Sequence, residues 1–230
     1  MIATDRFVFL HLHKSGGTFV NECLLQHVPG ARRLGYHLPR SMIPPELAAL
    51  PVLGTVRSPW SYYVSWHAFQ SGMPRGNALY RVLSEEGRLG FEGTIRNMLE
   101  LGTTGPKLDA LLEALPATRE GRGLNLTRDA VEPIRGSGLG FYSYLYQYMY
   151  GGEGTLHVGR LECLRDDMER LFAAVGQPVT PQMRAFLQAS PALNASAHGP
   201  FAGYYSRELG ALVAERDAPV LDRHGYGFGP

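Results

Sequence analysis

Short apolar runs alternate with apolar stripes at helical spacing. Residues 6–12 (RFVFLHL) form a nearly continuous apolar run with β-branched and aromatic members, which predicts a strand buried on both faces. The run stops at His13-Lys14-Ser15-Gly16-Gly17-Thr18. A helical pattern then begins at Phe19 and continues through Val20, Cys23, Leu24 and Val28. Strand, glycine turn and helix in that order open an α/β unit. Residues 31–37 (ARRLGYH) read as a second short strand, and 51–56 (PVLGTV) as a better one. Ser58-Pro59 then marks a helix start, a serine N-cap followed by proline at the first helical position. Tyr62, Tyr63, Trp66 and Phe69 supply that helix with an apolar stripe.

Residues 72–137 read as an inserted, mostly helical region. Helical patterns cover 78–84, 91–101 and 108–115, and a loop is expected over 117–137. Residues 139–150 are an aromatic-rich helical run with tyrosines at 142, 144, 146, 148 and 150. That alternation spreads the rings around a helix. They could stack on sugar or aromatic rings, but a core-and-rim helix is the plainer reading. Residues 155–160 (TLHVGR) are the last strand. An amphipathic helix follows through Leu164, Met168, Leu171, Phe172 and Val175 and ends at Gly176. Residues 180–189 and 204–217 read as helical, and the closing RHGYGFGP as turns. The expected fold is one α/β domain over 1–230, a three-layer sandwich on a short, mainly parallel sheet with a helical insertion.

Composition narrows the class. The chain has 230 residues, enough for one domain with a sizeable core. Apolar residues make 44% and charged residues 19%, which excludes wholesale disorder. Lys+Arg number 22 against 21 Asp+Glu, a formal charge of +1, so no global basic field for nucleic acid exists. Two cysteines give neither a disulfide framework nor a zinc set. The first apolar run is too short for a signal peptide and is broken by histidines, and no stretch approaches the roughly 20 apolar residues of a membrane span. A soluble, cytoplasmic protein is expected.

The first chemical candidate is the turn at 13–18. A helix N-terminus leaves unpaired N–H groups and carries about half a positive charge. Glycines let the backbone close on an anion, lysine adds a mobile charge, and Thr18 adds a hydroxyl. Together they suit a phosphate or sulfate; the plainer reading is a glycine turn with a solvated lysine. Lys14 precedes both glycines, so the turn is no Walker A loop, and the dinucleotide glycine pattern is absent. The second candidate is Arg57, leaving the carboxyl end of a strand, with Ser61 and Ser65 on one helix face. An arginine fork plus a hydroxyl suits a second phosphate.

Together the two segments resemble the PAPS-dependent sulfotransferases, whose donor is 3′-phosphoadenosine 5′-phosphosulfate. His13-Lys14-Ser15-Gly16-Gly17-Thr18 is similar to that family's 5′-phosphosulfate loop, and Arg57-x-Pro59 followed by Ser65 to its 3′-phosphate motif. The Gly-Gly-Thr form is closest to the carbohydrate (heparan-sulfate-type) O-sulfotransferase branch and its bacterial relatives. Val158-Gly159-Arg160-Leu161-Glu162-Cys163-Leu164, Asn194-Ala195-Ser196, Tyr204-Tyr205 and 223–228 also resemble that branch; the middle, 72–137, does not. His13 departs from the family's usual proline.

The resemblance implies roles. Lys14 would contact the bridging oxygen and sulfuryl group. The amides of Ser15, Gly16, Gly17 and Thr18, with the Thr18 hydroxyl, would hold the 5′-phosphate in a P-loop-like turn. Arg57 and Ser65 would hold the 3′-phosphate, and Phe19 would face the adenine or else belong to the core. PAP would be the product, the acceptor a saccharide or other small molecule, and no metal would be called for. His37, in Gly-Tyr-His-Leu-Pro, would be the base that takes the acceptor proton. His11, His13, His67 or a carboxylate are the alternatives. A kinase-like phosphotransferase and a non-catalytic nucleotide-binding module are the rival functions. Acceptor identity and oligomeric state are not written in the pattern.

Overall fold

The structure is a computed structural model that describes residues 1–121, 123–191 and 197–229. Among them are five strands and eleven α-helices, an α/β fold. In chain order they are β1 (Ile2–Ala3), β2 (Val8–Leu10), α1 (Gly17–His27), β3 (Arg32–Arg33), β4 (Val52–Val56), α2 (Pro59–Ser71), α3 (Ala78–Leu83), α4 (Phe91–Leu99), α5 (Pro106–Ala114), α6 (Arg128–Val131), α7 (Phe141–Tyr150), β5 (Leu156–Arg160), α8 (Leu164–Ala174), α9 (Pro181–Ala189), α10 (Arg207–Arg216) and α11 (Ala218–His224). The chain divides into two compact units, Met1–Arg57 with Tyr146–Ala195, and Ser58–Leu145 with Ser196–Pro230.

The first unit holds the whole sheet, in the order β3-β1-β2-β4-β5. The longer pairings, β2 with β4 and β4 with β5, are parallel, and β1 pairs antiparallel with both its neighbours. Helix α1 is the crossover that parallel neighbours require. Ile2, Phe9 and Leu53 line one face of the sheet and are buried together with Phe19, Val20, Cys23 and Leu24 of α1, Met168, Leu171 and Phe172 of α8, and Met183 and Leu187 of α9. On the other face the Tyr150 ring lies over Gly54, where a Cβ would come 2.4 Å from it. The Tyr150 hydroxyl accepts from the Thr55 amide (3.0 Å) and donates to the Thr55 carbonyl (2.8 Å). Both groups sit where the β2 pairing has run out, since its register ends at Leu10 and Gly54.

Strand β1 lies outside the sequence expectation. A two-residue strand shows no alternation, and it exists because Thr4 and Phe7 close a tight turn through Thr4 N to Phe7 O (3.0 Å). Helix α8 stops as expected: Gly176 takes φ +64°, and Gln177 N reaches back to Phe172 O at 2.8 Å.

The second unit is helical. Asn77, Thr127 and Ser206 cap α3, α6 and α10 here with their side chains. Its core is built around a buried carboxylate. Asp217 accepts from the Tyr63 hydroxyl (2.7 Å) and from the Ser143 amide (2.7 Å), and Tyr63 in turn accepts from the Tyr142 amide (3.2 Å). Tyr62 stacks on Tyr142 at 4.1 Å, and the Trp60 indole donates to Gly210 O at 3.0 Å.

Three expectations are corrected here. Phe69 is exposed rather than part of the buried stripe of α2. The expected loop at 117–137 contains α6 and a 3-10 turn at Glu132–Ile134, capped by Thr127. The turn-rich tail begins inside α11, which runs to His224 and ends on Gly225 at φ +64°. The tyrosines of the 139–150 run settle as core and rim: Tyr142, Tyr144, Tyr146 and Tyr150 are buried and Tyr148 is half-buried. Among the described residues no helix is long and apolar enough to cross a membrane.

Candidate functional site

Strand β2 ends at Leu10, and the chain turns off the sheet through His11, Leu12 and His13 into the loop before α1. Lys14 takes φ +53° and Gly16 φ +81°, so the loop doubles back tightly. Ser15 is fully buried, and its hydroxyl donates to the His13 carbonyl at 3.1 Å. Gly16 and Gly17 have packing reasons to be glycine. A Cβ on Gly16 would come 2.7 Å from Leu161 Cδ1, and one on Gly17 would come 1.9 Å from His11 Cδ2. Helix α1 then starts without an acidic residue in its first turn, so nothing there opposes the positive end of its dipole.

Arg57, at the end of β4, donates to the Lys14 carbonyl at 3.3 Å. Two of the expected anion-holding residues are thereby tied together. Burial, with the Arg57 charge beside it, presses the Lys14 ammonium down to about 8. Phe19 is 4% exposed, against Phe186 (ring centroids 5.2 Å) with the Arg165 guanidinium over its ring (5.5 Å), a core position.

His37 arrives from 26 residues away. Its backbone is left-handed, φ +46°, after a turn in which a Cβ on Gly35 would meet Leu38 at 2.5 Å. His37 Nδ1 lies 2.7 Å from the His11 carbonyl oxygen. A carbonyl only accepts, so Nδ1 carries the proton and Nε2 keeps the lone pair. The His37 ring stacks on His13 (centroids 3.7 Å, 17° between planes) and tilts against His11 (4.4 Å). Tyr36 meets it edge-on at 4.9 Å. Burial, then the neighbouring His13 and His11, holds His37 well below its ordinary value, so the ring is neutral at pH 7.

Three histidines that compete in the sequence thus form one cluster next to Lys14. Asn21 and Tyr36 were not among the sequence candidates, yet both touch it; Asn21 Nδ2 lies 3.1 Å from His11 Nδ1. The signal for Asn21 was present: it is a polar residue four positions after Gly17, set within the apolar stripe of Phe19, Val20, Cys23 and Leu24. Thr18 is half-buried in the first turn of α1. Ser65 and His67 belong to the second unit. Ser65 is buried on α2, and His67 packs against Tyr80 (5.8 Å) and Phe91 (5.5 Å). Val158-Gly159-Arg160 forms the end of β5, the last strand expected from the pattern, whereas Asn194-Ala195-Ser196 lies outside the described residues. Among the described residues no group of three or more His, Cys, Asp or Glu could hold a metal ion.

Comparison with protein-family models found no match for this chain, and a search of curated proteins found none either.

Proposed function

We propose that the chain transfers a sulfuryl group from PAPS to a hydroxyl of a saccharide or other small molecule, on a P-loop-like loop between β2 and α1. The observation that carries the reading is His37, with Nδ1 fixed on the His11 carbonyl and its ring stacked on His13, the residue before Lys14. A base oriented by its own chain next to a half-buried lysine is the pair that this chemistry needs. Both residues hold left-handed backbones, which non-glycine residues adopt at a cost and which cluster at functional sites.

The reaction divides between them. The acceptor hydroxyl attacks sulfur in line. His37 Nε2 takes the hydroxyl proton as the new S–O bond forms. The bond from sulfur to the 5′-phosphate oxygen breaks, and Lys14 meets the negative charge gathering on that oxygen. The N-terminus of α1 holds the 5′-phosphate, and Arg57 holds the 3′-phosphate with its fork. PAP leaves.

The test is transfer of labelled sulfate from PAPS across a panel of sugars and phenols, with and without Mg²⁺. Label on an acceptor without Mg²⁺ supports the reading. Phosphoryl transfer from ATP that requires Mg²⁺ replaces it with a kinase, and PAP binding without transfer to any acceptor replaces it with a binding module.

A further inference from the structure

Asn21 is 4% exposed in the second turn of α1, and its Oδ1 has no hydrogen-bond partner among the described residues. An unpaired buried polar atom is left with its desolvation cost unpaid, so a hydrocarbon at position 21 would suit the fold better. What the amide does gain is its one bond, Nδ2 to His11 Nδ1 at 3.1 Å. An amide nitrogen only donates, so His11 Nδ1 holds the lone pair and its proton sits on Nε2. The bare Cα of Gly17, one turn earlier on the same helix face, receives the His11 ring. His37 lies ring to ring with His11 at 4.4 Å and draws its own anchor from the His11 carbonyl at 2.7 Å.

We propose that Asn21 is a positioning residue, which fixes the ring and tautomer of His11 and through His11 the orientation of His37. This rests on the reading of His37 as the base. The titratable and charged groups around His11 are His13, the Met1 N-terminal ammonium, Arg33, His37 and Tyr36. Burial holds His11 down to about 3, so its ring is neutral and a tautomer is the only choice left to it.

Nitrogen-15 NMR of the imidazoles in the full chain tests this without turnover. Wild type is expected to show His11 as the Nε2–H tautomer and His37 as the Nδ1–H tautomer. Asn21→Leu, of similar size, is expected to fold, to show both His11 tautomers, and to lower turnover about tenfold, the worth of one such bond, with donor KM unchanged. The opposite His11 tautomer in wild type overturns the proposal, as does an Asn21→Leu protein with an unchanged spectrum or unchanged turnover. If Asn21→Leu does not fold, Asn21→Ala is read in its place; failure of both makes the amide a requirement of the fold and overturns the proposal. If wild type transfers no sulfate, the proposed function fails, while the tautomer shift still decides whether Asn21 orients His11.

Discussion

Two buried polar clusters, one in each unit, are built on opposite principles. In the second unit Asp217 is a lone carboxylate surrounded by donors. Tyr63 and the Ser143 amide satisfy it, a Cβ on Gly140 would come 2.5 Å from its carboxylate, and burial still pushes its pKa up to about 6. In the first unit Lys14, Arg57 and three histidines gather around one loop, and burial pushes Lys14, His11 and His37 the other way, toward neutrality. One cluster centres on an acid that its neighbours already bond. The other holds groups whose charged or lone-pair forms an incoming anion and an acceptor proton would use. The lesson is that burial alone does not mark a site. What separates the two is the chemistry gathered: one bonded acid in the second unit, cations and neutral imidazoles around one loop in the first.

Removing a member from each cluster sharpens that difference. His37→Ala is expected to cut transfer by roughly 10²–10⁴-fold, and Lys14→Ala by roughly 10²–10³-fold, with the thermal midpoint nearly unchanged in both. Steady-state assays beside thermal melts check this; a melt that collapses in either variant would place these residues with the fold instead. Asp217→Ala should do the reverse. It strands the Tyr63 hydroxyl and the Ser143 amide in a dry core, at a cost of about 3 kcal/mol. Urea unfolding reads that loss, and a midpoint equal to wild type contradicts it.

The pattern of the sequence reached the loop but not the cluster. Strand, glycine turn and helix at 6–28 are legible because a buried run and a 3.6-residue stripe flank a turn that only small residues permit. Arg57 is legible because Ser58 and Pro59 announce a helix immediately after a strand. The meeting of His11, His13 and His37 is not. It depends on a left-handed turn at His37 and on where β2 lets go of β4, and neither leaves a hydrophobic period. Asp217 was invisible for a related reason: its partners lie 154 and 74 residues away in sequence. Helix α11 was hidden by a proline in its first turn and by the glycines after it. The glycines of the loop were read as room for an anion, whereas Leu161 and His11 already require both.

The same comparison sets two pH dependences of opposite origin. The folded state holds the proton of Asp217 more tightly than the unfolded chain, up to about 6 from 3.8. Its stabilising contribution is therefore complete below pH 3.8 and is lost as pH rises through about 6, a change of about 3 kcal/mol. Asp217→Asn should flatten that fall in urea titrations between pH 4 and 7, and an unchanged slope argues against the assignment. Lys14, down to about 8, would meet the proposed anion as its protonated form. Affinity for PAPS should fall as pH rises through about 8, by no more than tenfold per pH unit. His37 is already neutral, so turnover should show no loss from it on the acid side down to the ordinary histidine range.

The most direct test of the central claim is calorimetry with PAP, ADP and AMP, on wild type and Arg57→Ala, without Mg²⁺. Arg57 is tied to the Lys14 carbonyl, so the group proposed for the 3′-phosphate and the loop proposed for the 5′-phosphate are one piece of structure. A charge-assisted hydrogen bond contributes about 1.5–3 kcal/mol, so wild type should prefer PAP to AMP and to ADP by at least roughly tenfold. Arg57→Ala should lose most of that preference while AMP binding changes little. Equal affinity for PAP and AMP in wild type, or binding only when Mg²⁺ is added, would contradict the account.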